Sequence, residues 1–144
     1  MKENLVSYKN IAILTLMLAV AVSYVETSTT AEEMLPPIQD ITDIKANEQI
    51  WKVAKRGVPV TFHNKSEAAR YFAEPQFKLL LKKVDFQKQT LLVFAWRGSG
   101  QDKMTYTIAE SFPEQITFKI LPGRTRDLRS HLKIYASRKN VKIK

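Results

Sequence analysis

The sequence predicts an α+β fold: a short N-terminal helical segment packed on a mostly antiparallel, roughly five-stranded sheet. Three observations predict it. Leu91-Leu92-Val93-Phe94-Ala95-Trp96 is an unbroken apolar run, partly β-branched and aromatic, that stops at Gly98-Ser99-Gly100. Such a run is too short for a helix and reads as a strand buried on both faces, hence central in its sheet. Ahead of it, residues 64–82 combine capping residues with strong helix formers. Behind it, apolar and polar residues alternate almost to the C-terminus.

Taken in order, the chain opens with Lys2 and Lys9 and a nearly continuous apolar run over residues 11–22. Ala19-Val20-Ala21 or Ala21-Val22-Ser23 supplies small residues for cleavage, so residues 1–23 have the pattern of a secretory signal peptide. The competing reading is a retained membrane anchor. Extended to Val25, the run makes about 22 Å of helix, short of a hydrocarbon core of about 30 Å. Either reading places the working protein outside the cytoplasm: periplasmic, in the cell envelope, or secreted. Residues 24–47 hold Ser28-Thr29-Thr30, Pro36-Pro37 and a net negative charge, and read as a linker. Ile38, Ile41 and Ile44 recur every third residue there, which admits a short helix. A single β-rich domain is expected over 48–144.

Within it, Ile50-Trp51-Lys52-Val53-Ala54 reads as a first strand, ended at Arg56-Gly57, and residues 58–62 as an extended piece that Pro59 confines to an edge. Asn64 or Ser66 can cap a helix over 67–73. Pro75 suits the start of a second helix over 75–82, where Phe77, Leu80 and Leu81 share one face. Asp85 caps the turn into the central strand, residues 90–96. Met104, Tyr106 and Ile108 alternate with threonines, Ile116, Phe118 and Ile120 with Thr117 and Lys119, and Leu132, Ile134 and Ala136 follow the same rule. Pro122-Gly123 fits a type II turn, and residues 141–144 a last short strand. The strands are expected in meander order.

Composition bounds the function. The 144 residues carry a net charge of +9 and no cysteine. Disulfides, thiolate metal sites, cysteine nucleophiles and lipidated cysteines are therefore excluded. The charge favours an anionic partner, a protein or an anionic polymer of the envelope. Between Gly123 and Lys144 stand Arg124, Arg126, Arg129, Lys133, Arg138, Lys139, Lys142 and Lys144, against one acid, Asp127. The densest polar cluster, residues 124–131, offers Arg124, Arg126, Arg129 and His131 as a candidate anion or partner-binding site, since the arginine fork suits carboxylate, sulfate or phosphate. The bland reading is a loop held by Asp127 pairing with an arginine and by Thr125. Specific nucleic-acid binding is not expected, because only Tyr135 interleaves the basic residues. A membrane contact is expected only through an uncleaved N-terminal segment.

Material for catalysis is thin. His63 and His131 are the only histidines and lack metal-ligand spacing. The loop 97–102 is neither a phosphate-binding loop nor a nucleophile elbow. A hydrolase would have to draw on Ser99, His131 and Asp102, a set that almost any chain offers. Neither cofactor nor metal is expected.

At VDFQKQTLLVFAW, GSGQD and PGRTRDLRSH the chain resembles small exported bacterial proteins and, more distantly, the PrcB-like C-terminal domain family of protease-complex proteins. In that family a helix leads into a V-D-F-x-K segment, an L-L-V-F strand, a glycine loop, alternating strands and a late histidine. The resemblance covers roughly residues 50 to 144. It departs where the family's threonine-containing glycine turn is here Gly98-Ser99-Gly100-Gln101, and where the family's lipid-modified cysteine has no counterpart. The resemblance implies a β-rich, non-enzymatic module that stabilises or accompanies a secreted protein, with a protease as the implied partner. The expected function is thus a non-catalytic exported domain that binds or stabilises another envelope or secreted macromolecule; the alternatives are a polyanion-binding module using the basic C-terminal segment, and a hydrolase.

Overall fold

The elements of the computed structural model, which describes residues 35–41 and 43–144, run β1 (Ile38–Asp40), α1 (Ile50–Val53), β2 (Val60–Phe62), α2 (Lys65–Ala69), α3 (Glu74–Lys83), β3 (Gln89–Ser99), β4 (Lys103–Ala109), β5 (Gln115–Leu121), β6 (Leu128–Arg138) and β7 (Lys142–Ile143). The expected signal peptide and residues 24–34 of the expected linker lie outside the described residues. No helix among the described residues is long and apolar enough to cross a membrane.

The strands form two sheets, not one. A four-stranded antiparallel sheet has the order β1-β6-β3-β2, and a three-stranded sheet the order β4-β5-β7, with β5 and β7 parallel. Side-chain alternation explains the split. On β3, Leu91, Val93 and Ala95 join one buried cluster while Leu92, Phe94 and Trp96 join another. Both faces of β3 therefore need a cover. The alternation of β4 and β5 gives each of them one apolar face, which suits a layer laid on top of β3 rather than a neighbour beside it in the same plane. Ile116, Phe118, Met104 and Ile120 pack down on Leu92, Phe94 and Tyr135. The Phe94 and Phe118 rings stand 4.6 Å apart, and Phe118 and Tyr135 5.2 Å.

Helices cover the other face. Leu80 of α3, Ala68 of α2 and Ile50 of α1 are fully buried against Leu91, Val93 and Ile134. Helix α2 takes the first of the two caps the sequence offers but runs over Lys65–Ala69, not 67–73: Asn64 Oδ1 accepts from the Glu67 N–H at 2.9 Å, and the Glu67 carboxylate reaches back to the His63 N–H at 2.8 Å. Helix α3 has Pro75 in its first turn and Lys82 and Lys83 in its last, where each suits the helix ends. Asp85 Oδ1 accepts from the Gln87 N–H at 2.9 Å and so turns the chain into β3.

Several expectations are corrected. The strand expected at residues 50–54 is the one-turn helix α1. Asn47 supports it, its side chain accepting from the Gln49 N–H at 3.0 Å, and only Ile50 enters the core while Val53 stays exposed. Residues 38–44 of the expected linker are not a linker. Ile38–Asp40 pairs with β6, and Ile41 and Ile44 are buried, so the three-residue spacing of the isoleucines reflects an edge strand and the turn after it. The meander order fails because β3 pairs with β6 along its whole length, from Gln89 opposite Arg138 to Ser99 opposite Leu128. Gly123 does not have the positive φ of a type II turn; among the described glycines only Gly57 does. It is glycine for space, since a Cβ there would stand 2.7 Å from the Gln101 carbonyl carbon.

Candidate functional site

Three segments meet at the Trp96 end of the four-stranded sheet: the turn 99–102 that carries the chain between sheets, the β5–β6 connection 122–127, and Arg56 from the loop between α1 and β2. Asp102 joins all three. Its side chain is 1% exposed, its Oδ1 accepts from the Gly123 N–H at 2.8 Å, and its Oδ2 accepts from Trp96 Nε1 at 3.0 Å. The Arg56 guanidinium pairs with Oδ2 at 3.0 Å and donates to the Arg97 carbonyl at 3.2 Å. The Gly123 N–H foremost, then the Trp96 and Arg56 donors, hold the Asp102 carboxyl below its usual range although burial opposes them. Gly98 leaves room for this carboxylate; a Cβ there would overlap Asp102 Oδ2.

A second acid ties the two loops. Asp127 accepts from the Gly100 N–H at 3.0 Å and from Arg129 Nε at 2.9 Å. With the Thr125 hydroxyl as the largest contributor, these donors hold the Asp127 carboxyl well below the usual carboxylate range. Ser99 Oγ accepts from the Gln101 and Thr125 N–H groups, each at 3.2 Å, and lies 2.6 Å from Thr125 Oγ1. With both lone pairs engaged, Ser99 donates its proton to Thr125 Oγ1.

His131 belongs to the same framework. Directly opposite Trp96 in the ladder, it stacks on the indole with ring centres 4.9 Å apart, and its Nε2 donates to the Ser99 carbonyl at 2.8 Å. Ser99, His131 and Asp102 are thus neighbours without being a catalytic set. The histidine bonds the serine's carbonyl and not its hydroxyl, and Asp102 bonds Trp96 and not the histidine. Nor do three metal-ligating side chains converge anywhere among the described residues.

Of the four candidate binding residues, the structure divides two from two. Arg129 is neutralised by Asp127, and His131 is held between Trp96 and Ser99. Arg124 and Arg126 are exposed. Among the described residues Arg124 bonds only through its main chain, its N–H to Gln101 Oε1 at 3.4 Å, and neither guanidinium has a partner. Leu128, two residues after Arg126, is 73% exposed.

The basic segment is also divided. Lys139, Lys142 and Lys144 lie past the far end of β6, near Gln89 and Glu114. That strand separates the two groups by roughly 30 Å at about 3.3 Å per residue, several times the screening length of about 8 Å at physiological salt. One small anion cannot engage both. Sequence reasoning missed Asp102, Trp96 and Arg56 as a unit. The G-S-G-Q-D turn was the only signal for them, and nothing in the chain links Arg56 to it. In comparisons with known proteins, no family model, no curated protein and no solved structure matches this chain.

Proposed function

We propose that this chain is a non-catalytic exported domain that binds or stabilises another macromolecule of the cell envelope, gripping a carboxylate or other anionic group on it with Arg124 and Arg126. One observation carries the reading. Every acid near these arginines is spent inside the framework, Asp102 on Arg56, Trp96 and Gly123, and Asp127 on Arg129 and Gly100. The backbone of the loop is braced at Arg124, Thr125 and Asp127, while the two planar cations it carries are left in solvent with no acid bonded to them; a fixed backbone lowers the ordering cost of binding. The signal-like N-terminus and the likeness to the PrcB-like family support an exported accessory role. The second reading, a polyanion that runs along the domain, draws on Lys139, Lys142 and Lys144 at the other end as well.

Arg124→Ala combined with Arg126→Ala separates the readings. The melting temperature stays unchanged, because neither side chain supports the loop. Capture of the envelope partner from solubilised envelopes weakens at least tenfold in the double variant, as does binding of a carboxylate-rich peptide. A heparin assay in which the salt slope falls by about two units points to the same loop, about one unit per lost contact. Retained partner and heparin binding in a fully folded double variant would reject the proposal; heparin binding lost only after replacement of Lys139, Lys142 and Lys144 would favour the polyanion reading.

A further inference from the structure

The outer edge of the three-stranded sheet is unlike the other strand edges of the domain. Among the described residues, β1 and β2 are three-residue edges, Pro59 directly precedes β2, and β7 has two residues with Lys142 and Lys144 about it. Short strands, proline and lysine are the usual protections against edge-to-edge pairing. Strand β4 has none of them in its interior. It is seven residues long, Lys-Met-Thr-Tyr-Thr-Ile-Ala, with one charge at its first position.

The direction of its free backbone groups follows from the ladders. Lys142 and Lys144 donate their N–H groups to the carbonyls of Glu114 and Ile116, so the main-chain groups of Ile116, and of Phe118 and Ile120 by alternation, face β7. Gln115, Thr117, Lys119 and Leu121 therefore face β4 and bond their partners Ala109, Thr107, Thr105 and Lys103. The N–H and C=O groups of Met104, Tyr106 and Ile108 are left pointing outward, with no backbone partner among the described residues. The Tyr106 ring lies against Phe118 and Tyr135, and Ile108 shares its face by alternation, yet the two remain 39% and 41% exposed along this edge.

We propose that this edge pairs antiparallel with the β4 of a second copy of the chain, about a two-fold axis at Tyr106. That register puts Tyr106 opposite Tyr106 and Met104 opposite Ile108, so every outward main-chain group of the strand finds a partner. Thr105 falls opposite Thr107, a favourable cross-strand pair, and Lys103 opposite Ala109, so no like charges meet. A shift of the axis to Thr105 or Thr107 leaves Ile108 or Met104 unpaired within the strand. The Tyr106 and Ile108 side chains of the two copies then shield each other along this edge. The two three-stranded sheets become one continuous sheet with no long free edge.

The sequence has no cysteine, which makes the test clean. Full-length chains carrying Thr105→Cys and Thr107→Cys are prepared separately and oxidised alone and mixed. In the proposed register residues 105 and 107 of opposite copies form a pair with main chains about 4.5 Å apart, within disulfide reach. A disulfide-linked dimer forms in the mixture and at most weakly in either variant alone. Adding Ile108→Pro to both chains abolishes it, since that N–H serves the new edge and not β5. The amides of Met104, Tyr106 and Ile108 exchange slowly in the dimer and quickly on dilution. Absence of the cross-link in the mixture overturns the proposal even if the proline variant fails to fold. Slow exchange of these amides in a monomer also overturns it.

Discussion

At the scale of single residues, two aspartates decide how the candidate site is built. Asp102 and Asp127 each accept a main-chain N–H bond from the neighbouring loop, beside the Ser99–Thr125 bonds, and each has its pKa lowered in the folded chain. A carboxyl that is more acidic folded than unfolded contributes stability above its unfolded value, and that contribution disappears as pH falls through the folded value. The ordinary value is 3.8, so the melting temperature stays level from neutral pH to about 5 and drops below about 4. Asp127→Asn removes part of the acid limb while lowering the neutral-pH melting temperature, which differential scanning fluorimetry across pH reads directly. An unchanged acid limb would mean that Asp127 does not brace the loop. Tyr135 works at the other extreme: burial among aromatic rings raises its pKa to about 12. Its contribution is intact below pH 10 and is lost as pH rises from there through about 12.

At the scale of elements, β3 is the strand around which the layers stack, and its alternation makes two predictions that differ by face. Leu91 and Phe94 are both fully buried, but Leu91 packs among the helices and Phe94 among the second sheet's aromatics. Leu91→Ala costs about 2–5 kcal/mol and Phe94→Ala about 3–5 kcal/mol of unfolding free energy. Because the two side chains share no cluster, the double variant loses nearly the sum. Chemical denaturation measures all three, and a strongly sub-additive result would show that the layers do not pack independently. Val93→Asp buries an unpaired charge and costs more than about 4 kcal/mol, enough to remove the cooperative transition. A soluble variant with an unchanged midpoint would place Val93 at the surface instead.

At the scale of the whole molecule, charge is distributed unevenly along the long axis of the sheet. Arg124 and Arg126 stand at one end, with Lys139, Lys142 and Lys144 at the other, so the basic C-terminal segment is not one patch. The N-terminal residues bear on where this surface works. The pattern over residues 2–23 predicts a mature chain starting between Val22 and Glu26, which N-terminal sequencing after cell fractionation tests. A cytoplasmic protein beginning at Met1 would remove the exported role proposed above and leave the Arg124–Arg126 geometry as it is.

The sequence alone determined whatever depends on local pattern. The central strand was legible because six consecutive apolar residues can be satisfied only by burial on both faces, and α2 and α3 because Asn64 and Pro75 are start signals next to helix formers. The polar cluster at 124–131 was legible as charge density. Tertiary structure decided what depends on pairing at long range. Alternation in β4 and β5 is the same whether they flank β3 or lie upon it, so only the β3–β6 ladder reveals two sheets. Ile38 and Ile50 carry no local sign of their final partners, and the chain there adopted the shape that buried them. The four basic candidates were equivalent in sequence. What distinguished them was which partner lay within reach: Asp127 took Arg129, the Trp96 ring and the Ser99 carbonyl took His131, and Arg124 and Arg126 were left facing solvent.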